Sequence, residues 1–206
     1  MFIGIDLTSS ERKPSALVGL DEGLGLTFFN LSRSDAEIIK TIEEASPRVV
    51  AIDAPLTLPK GLCCLEESCP CRPQMEAKGR SCERELARMG IPCYFTTKRS
   101  IIKNMVYRAI GFRDRLEFEG YRVIEVYPYA TKVILFGKPI PRKTTPQGLG
   151  FLRGHLCELL PSLSLYIGWF NHDLCDAAIC AYTAYLYGGI CGRLIGDVEE
   201  GRVFIP

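Results

Sequence analysis

The sequence has no run of about 18 unbroken apolar residues, and this excludes a transmembrane helix. Nor does it carry an excess of charge: 25 Lys and Arg against 24 Asp and Glu leave +1. No bulk field therefore points to nucleic acid or membrane, and any nucleic-acid contact falls to a local patch. A basic leader is missing too. Met1-Phe2-Ile3-Gly4-Ile5-Asp6 meets an acid at its sixth residue, which reads as a core strand and not a signal peptide. The expected location is the cytoplasm, with no membrane partner. There is no internal repeat, linker or low-complexity stretch. What remains is 206 residues at 47% hydrophobic, enough for one domain with a sizeable core.

Hydrophobic patterning gives an element order. Phe2 to Leu7, Ala16 to Leu20 and Leu24 to Leu31 are short apolar runs separated by turns around Pro14 and Asp21-Glu22-Gly23. Short turns predict an antiparallel meander. Ser34 with Glu37 forms a capping box ahead of Ala36, Ile39, Ile42 and Ala45 at helical spacing. Val49 to Ile52 reads as a strand buried on both faces. Residues 56 to 80 are irregular, followed by a short helix from Cys82 to Met89 and another over 100 to 119. A strand follows at Tyr121 to Tyr127, then helices at Ala130 to Phe136, Phe151 to Leu160 and Asp173 to Tyr187, with Pro139 to Gly148 as a loop. Three meander strands feeding a helix and a buried strand open the ribonuclease H-like α/β fold. The expected sheet is mixed and five-stranded, flanked by helices, with a cysteine-rich insertion at about 61–82.

Acids stand at three places where that fold gathers metal ligands. Asp6 ends the first strand and Asp53 the fourth, parallel neighbours in such a sheet. Asp173 and Asp176 are three apart on one helix and share a face. Hard carboxylate oxygens in a cluster suit Mg²⁺ or Mn²⁺, and two such ions can serve phosphodiester hydrolysis. The bland alternatives are a turn residue for each strand-end Asp and a helix-dipole partner for Asp173 or Asp176. Glu125 lies inside the apolar run Val123-Ile124-Glu125-Val126. It either pairs with an Arg or faces the site, and the site is the reading adopted.

Two further features carry chemistry. Cys63, Cys64, Cys69, Cys71, Cys82 and Cys93 crowd one stretch and form a candidate structural Zn²⁺ or iron–sulfur centre, with disulfides or plain thiols as alternatives. The other four of the ten cysteines, Cys157, Cys175, Cys180 and Cys191, read as small apolar residues of the core. Lys98, Arg99, Lys103, Arg108, Arg113 and Arg115 form a basic run with one acid, Asp114. Within it Lys98, Arg99 and Lys103, together with Arg84 and Lys143, are the candidate contacts to substrate phosphate, and a solvated helix face is the common alternative.

These residues carry a resemblance. Gly4-Ile5-Asp6, Ala51-Ile52-Asp53-Ala54-Pro55-Leu56, Cys82-Glu83-Arg84-Glu85-Leu86 with Gly90-Ile91-Pro92, Glu125-Val126-Tyr127-Pro128, His172-Asp173 through Asp176-Ala177-Ala178, and Ile205-Pro206 follow in order. The set resembles the family of domain of unknown function 429, described as predicted nucleases with a ribonuclease H-like fold. The Asp173–Asp176 pair also resembles the last acidic helix of Holliday-junction resolvases. The resemblance implies the fold and an acidic site; Cys63 to Cys71 departs from the family pattern. The expected activity is metal-dependent phosphodiester hydrolysis, with nucleic acid as partner. Two alternatives stay open. One is a nucleotide-binding or phosphoryl-transfer relative of the actin and sugar-kinase superfamily, since Gly4-Ile5-Asp6-Leu7-Thr8-Ser9-Ser10 resembles its first phosphate loop. No second Asp-x-Gly loop accompanies it. The other is a non-catalytic binding module.

Overall fold

A computed structural model describes residues 1–9 and 13–206. Its sheet has seven strands in the order β3-β2-β1-β4-β5-β7-β6. These are β1 (Phe2–Asp6), β2 (Ser15–Leu20), β3 (Leu26–Ser32), β4 (Val49–Ile52), β5 (Val123–Val126), β6 (Arg193–Asp197) and β7 (Gly201–Ile205). β1, β4, β5 and β7 run parallel, while β2 is antiparallel to β1 and β3, and β6 to β7. The 3-2-1-4-5 core with its antiparallel meander is the ribonuclease H-like arrangement. The expected strand count of five is corrected to seven by the β6–β7 hairpin. That hairpin gives little periodic signal: Gly196 interrupts β6, which keeps Ile195 as its one buried residue.

Helices cover both faces. α1 (Asp35–Ala45) and α3 (Lys103–Phe118) pack on one, where Ile3, Ile5, Val50 and Ile52 meet Ile38, Ile42, Phe112 and Leu116. α4 (Pro128–Phe136), α5 (Pro146–Leu159) and α6 (His172–Gly188) lie on the other, and α2 (Ser81–Arg88) sits over β6 and β7. Truncating a buried anchor such as Ile42 to Ala costs roughly 2–5 kcal/mol in cores of this kind. No helix of the described residues is long and apolar enough to cross a membrane.

Helix starts follow local chemistry. Ser34 caps α1 by accepting from the Glu37 N–H at 3.2 Å, and Glu37 reaches back to the Arg33 N–H at 2.7 Å. Pro128 opens α4 two residues before the predicted start. Pro146 opens α5 five residues early, with Thr145 accepting from the Gly148 N–H. Both exploit the fact that a first-turn residue needs no N–H partner within the helix. Asn171 caps α6 by accepting from the Leu174 N–H at 2.9 Å.

The placement of α6 depends on one glycine. A Cβ at Gly4 would stand 2.1 Å from Ala177 O and Ala181 N, so only glycine allows the helix to lie this close on β1. The close approach brings the first turns of α6 to the sheet end that carries Asp6.

Candidate active site

The β1–β4 ladder extends one residue beyond β4: the Asp53 N–H donates to Ile5 O at 2.9 Å. Asp6 and Asp53 thus leave adjacent parallel strands together. Both fall on the α6 face, in alternation with Gly4 and Ala51. Asp6, Asp53 and Asp176 line one cavity of about 540 Å³. Its walls include Tyr94, Ile102, Met105, Tyr127 and Tyr129, and its rim carries Arg142 and Lys143.

The electrostatics there are unbalanced. The Asp6 carboxyl is pushed well above its ordinary range by burial, then by Asp53 and Asp176. The Asp53 carboxyl rises to about 7, from burial first and then from Asp176. Lys143 and Lys132 offset only part of this. Both lysines bind Asp176 instead, Lys132 Nζ at 2.7 Å to Oδ1 and Lys143 Nζ at 2.5 Å to Oδ2. Burial opposes the Lys143 charge, but Asp176 outweighs it and drives the ammonium pKa up. Asp173, on the neighbouring turn, stands at the edge with its Oδ1 2.7 Å from His172 Nδ1, and it adds a weaker push on Asp6.

Glu125 is corrected. Its register partner on β4 is Ile52, not Asp53, so the pleat turns its side chain to the face opposite the cavity. There it meets Arg80, which donates from Nη1 at 2.7 Å and Nη2 at 2.5 Å. Arg80 also holds Glu83 at 3.0 Å, and Thr96 completes the Glu83 shell at 2.5 and 2.8 Å. Burial works against the Arg80 charge, but Glu125 and its neighbours keep it firmly protonated.

None of the six bases of the basic run lines the cavity, and most are paired. Lys98 Nζ donates to Cys69 O at 2.5 Å, Arg99 meets Glu67 at 3.4 Å and Lys103 meets Glu66 at 2.8 Å. Arg108 pairs with Asp35, Arg113 with Asp114, and Arg115 with Glu43 and Glu119. Arg84 pairs with Glu200 at 3.3 Å and donates to Gly79 O. Of the phosphate candidates, Lys143 alone lines the cavity. In the loop after β1, Thr8 Oγ1 donates to Lys13 O and Thr8 O accepts from Arg108; Ser10 of the phosphate-loop resemblance lies outside the described residues.

Of the six crowded cysteines, Cys63, Cys64, Cys69 and Cys71 come together. Their sulfurs all lie within 4.8 Å of one another, the one such group of potential metal ligands among the described residues. The three carboxylates of the cavity are not drawn in to that spacing. Cys82 is buried against the β6–β7 hairpin, and Cys93 donates to Glu83 O. Sequence reasoning also passed over Lys132. Its signal was a lone cation in the apolar run Ala130-Thr131-Lys132-Val133-Ile134.

A hard divalent cation fits Asp6 and Asp53, two oxygen donors whose mutual repulsion it would relieve. Asp176 can join that set while its oxygens still accept from the lysines, because each carboxylate oxygen keeps a second lone pair.

Comparison with curated protein sequences finds no match. Among solved structures, the Thermus thermophilus RuvC structure is similar over 94% of this chain and 97% of that chain, at 14% identity and a TM-score of 0.43. The sequence profile of the family described as "Protein of unknown function (DUF429)" matches residues 4–200, nearly the whole length, and the chain belongs to that family.

Proposed function

We propose that the cavity is the active site of a Mg²⁺- or Mn²⁺-dependent nuclease that hydrolyses phosphodiester bonds. The observation that carries this reading is the convergence of Asp6, Asp53 and Asp176 on one open cavity where, among the described residues, both lysines bind Asp176 and no cation pairs with Asp6 or Asp53. Structural acids are normally satisfied by direct partners, as Glu125 and Glu83 are by hydrogen bonds from Arg80, Thr96 and the Leu56 N–H. A bound divalent ion supplies acidification of water and neutralisation of charge on the leaving oxygen.

The chain's own residues do the rest. Asp6 and Asp53 hold the ion, and Asp176 completes the set. Lys143 sits half-exposed on the rim, so it can leave Asp176 for a non-bridging phosphate oxygen. Lys132 is buried in α4 and stays to fix Asp176. Tyr94, Tyr127 and Tyr129 offer aromatic surface for a base or sugar.

The test is cleavage of a panel of single-stranded, duplex, hybrid and junction substrates with Mn²⁺, alongside Mn²⁺ calorimetry. Asp6→Asn and Asp53→Asn should each lower cleavage by roughly 10²-fold or more. Both should weaken Mn²⁺ binding while the fold persists. Wild-type levels of cleavage in either variant would remove the acids from the mechanism. Absence of Mn²⁺ binding by the wild type would leave the non-catalytic module as the better description.

A further inference from the structure

The segment between β4 and α2 contains no regular element, and from Lys60 to Lys78 its one buried residue is Leu65. So little buried surface does not hold a loop of this length in one shape, because chain entropy costs about 1–2 kcal/mol per residue. Small units without a core use disulfides or metals in its place. The loop is nonetheless pinned at defined points. The Leu65 N–H donates to Tyr107 Oη at 2.6 Å, Glu66 accepts from Tyr107 and Lys103, and Lys98 binds Cys69 O.

We propose that Cys63, Cys64, Cys69 and Cys71 form a tetrathiolate site for one zinc ion that fixes the shape of this loop, so that Leu65 and Glu66 can dock on the start of α3. The spacing of the sulfurs decides among the alternatives. Zn–S bonds of about 2.3 Å in a tetrahedron set the sulfurs about 3.8 Å apart. The four sulfurs lie within 4.8 Å of one another, and Cys63 Sγ stands 3.5 Å from Cys69 Sγ. A four-iron cluster places each thiolate on a separate iron and spreads the sulfurs wider than this. The nearby hard ligands are already committed, Glu66 to Lys103 and Tyr107 and Glu67 to Arg99. Zinc binding releases the remaining thiol protons to solvent and leaves a dianionic centre. Lys98, whose Nζ donates to Cys69 O, stands beside the loop to meet part of that charge, while Arg99 and Lys103 offset Glu67 and Glu66. The first three bases of the run, Lys98, Arg99 and Lys103, then serve the metal loop and not a nucleic acid.

The experiment uses the full chain purified under reducing conditions, with metal content measured by plasma mass spectrometry. One equivalent of zinc is expected, and exchange for Co²⁺ should give the intense visible bands of a tetrahedral thiolate site. A Cys63→Ser/Cys69→Ser double variant should lose the zinc and the Co²⁺ bands with its circular dichroism unchanged, since neither residue is in the core. Cys93→Ser, outside the quartet, should keep both. Chelation should open the chain to trypsin at Lys60 and Lys78, which are exposed. Four results would each overturn the proposal: fully reduced wild type that takes up no zinc, a mass four protons lower that reports two disulfides, iron–sulfur absorption in place of zinc, or zinc retained by the double variant. If the double variant misfolds, Co²⁺ titration of the wild type decides alone.

Discussion

Two groups of acids stand within a few residues of the same sheet end and are treated in opposite ways. Glu125 and Glu83 share Arg80, which reaches both through five-donor guanidinium geometry, and Thr57 and Thr96 fill further positions. Asp6 and Asp53, on the opposite face, pair with no guanidinium among the described residues. They repel each other and Asp176, and the two lysines nearby serve Asp176. The first set is closed by direct hydrogen bonds on both carboxylates, and the second is left open at Asp6 and Asp53. Leaving it open keeps a place for a cation that is not part of the chain, which is the physical content of the nuclease proposal.

The largest expected effect tests the closed side. Arg80→Met leaves two buried carboxylates without their cation and should cost about 3–5 kcal/mol in urea denaturation. A loss under ~1 kcal/mol would mean that Glu83 and Glu125 are satisfied without it.

The same acid-to-amide change should then act with opposite sign on the two sides. Glu125→Gln removes half of a buried ion pair and should destabilise by roughly 2–4 kcal/mol. Asp53→Asn in metal-free protein at pH 8 should stabilise by about 1–3 kcal/mol, because it deletes a carboxylate that burial and Asp176 disfavour. The pH dependence follows from proton linkage. With a folded pKa of about 7 against 3.8 unfolded, native Asp53 binds more protons between those values. Wild-type stability without metal should therefore fall as pH rises through that window, and the Asp53→Asn advantage should disappear by about pH 4. Thermal melts at a series of pH values measure both. Destabilisation by Asp53→Asn at pH 8 would place Asp53 among the structural acids and erase the contrast.

The smallest effects separate the two sets of basic residues. Lys103→Met breaks a partly exposed pair with Glu66 and should change stability by under ~1 kcal/mol, with no change in how nucleic-acid affinity varies with salt. Lys143→Met should reduce that salt slope by about one, as the loss of one phosphate contact does. Equal slopes for both variants would put Lys143 outside the substrate path.

Local chemistry is written locally, and that part was legible. The meander, the buried run at Val49 to Ile52 and the Ser34–Glu37 box follow from periodicity and capping within a few residues. The strand ends that carry Asp6 and Asp53 follow with them, and so does the acidic turn of α6. Alternation also held a signal about Glu125, whose register leaves it on the other face from Asp53. Partner choice was not legible, because it joins residues far apart in the chain. Arg80 meets Glu125 across 45 positions, Lys132 meets Asp176 across 44, and Lys98 meets the cysteine loop across 29. Each acid or base in those pairs had several candidate partners of equal chemistry. The hairpin at Arg193 to Ile205 was hidden for a related reason, since its short strands gain their order from β5 and α2 and not from their own pattern. Composition and period set which elements form and which chemical groups stand at their ends. Packing, through contacts such as the close seat of α6 on Gly4, decided which charges were balanced and which were left facing the cavity.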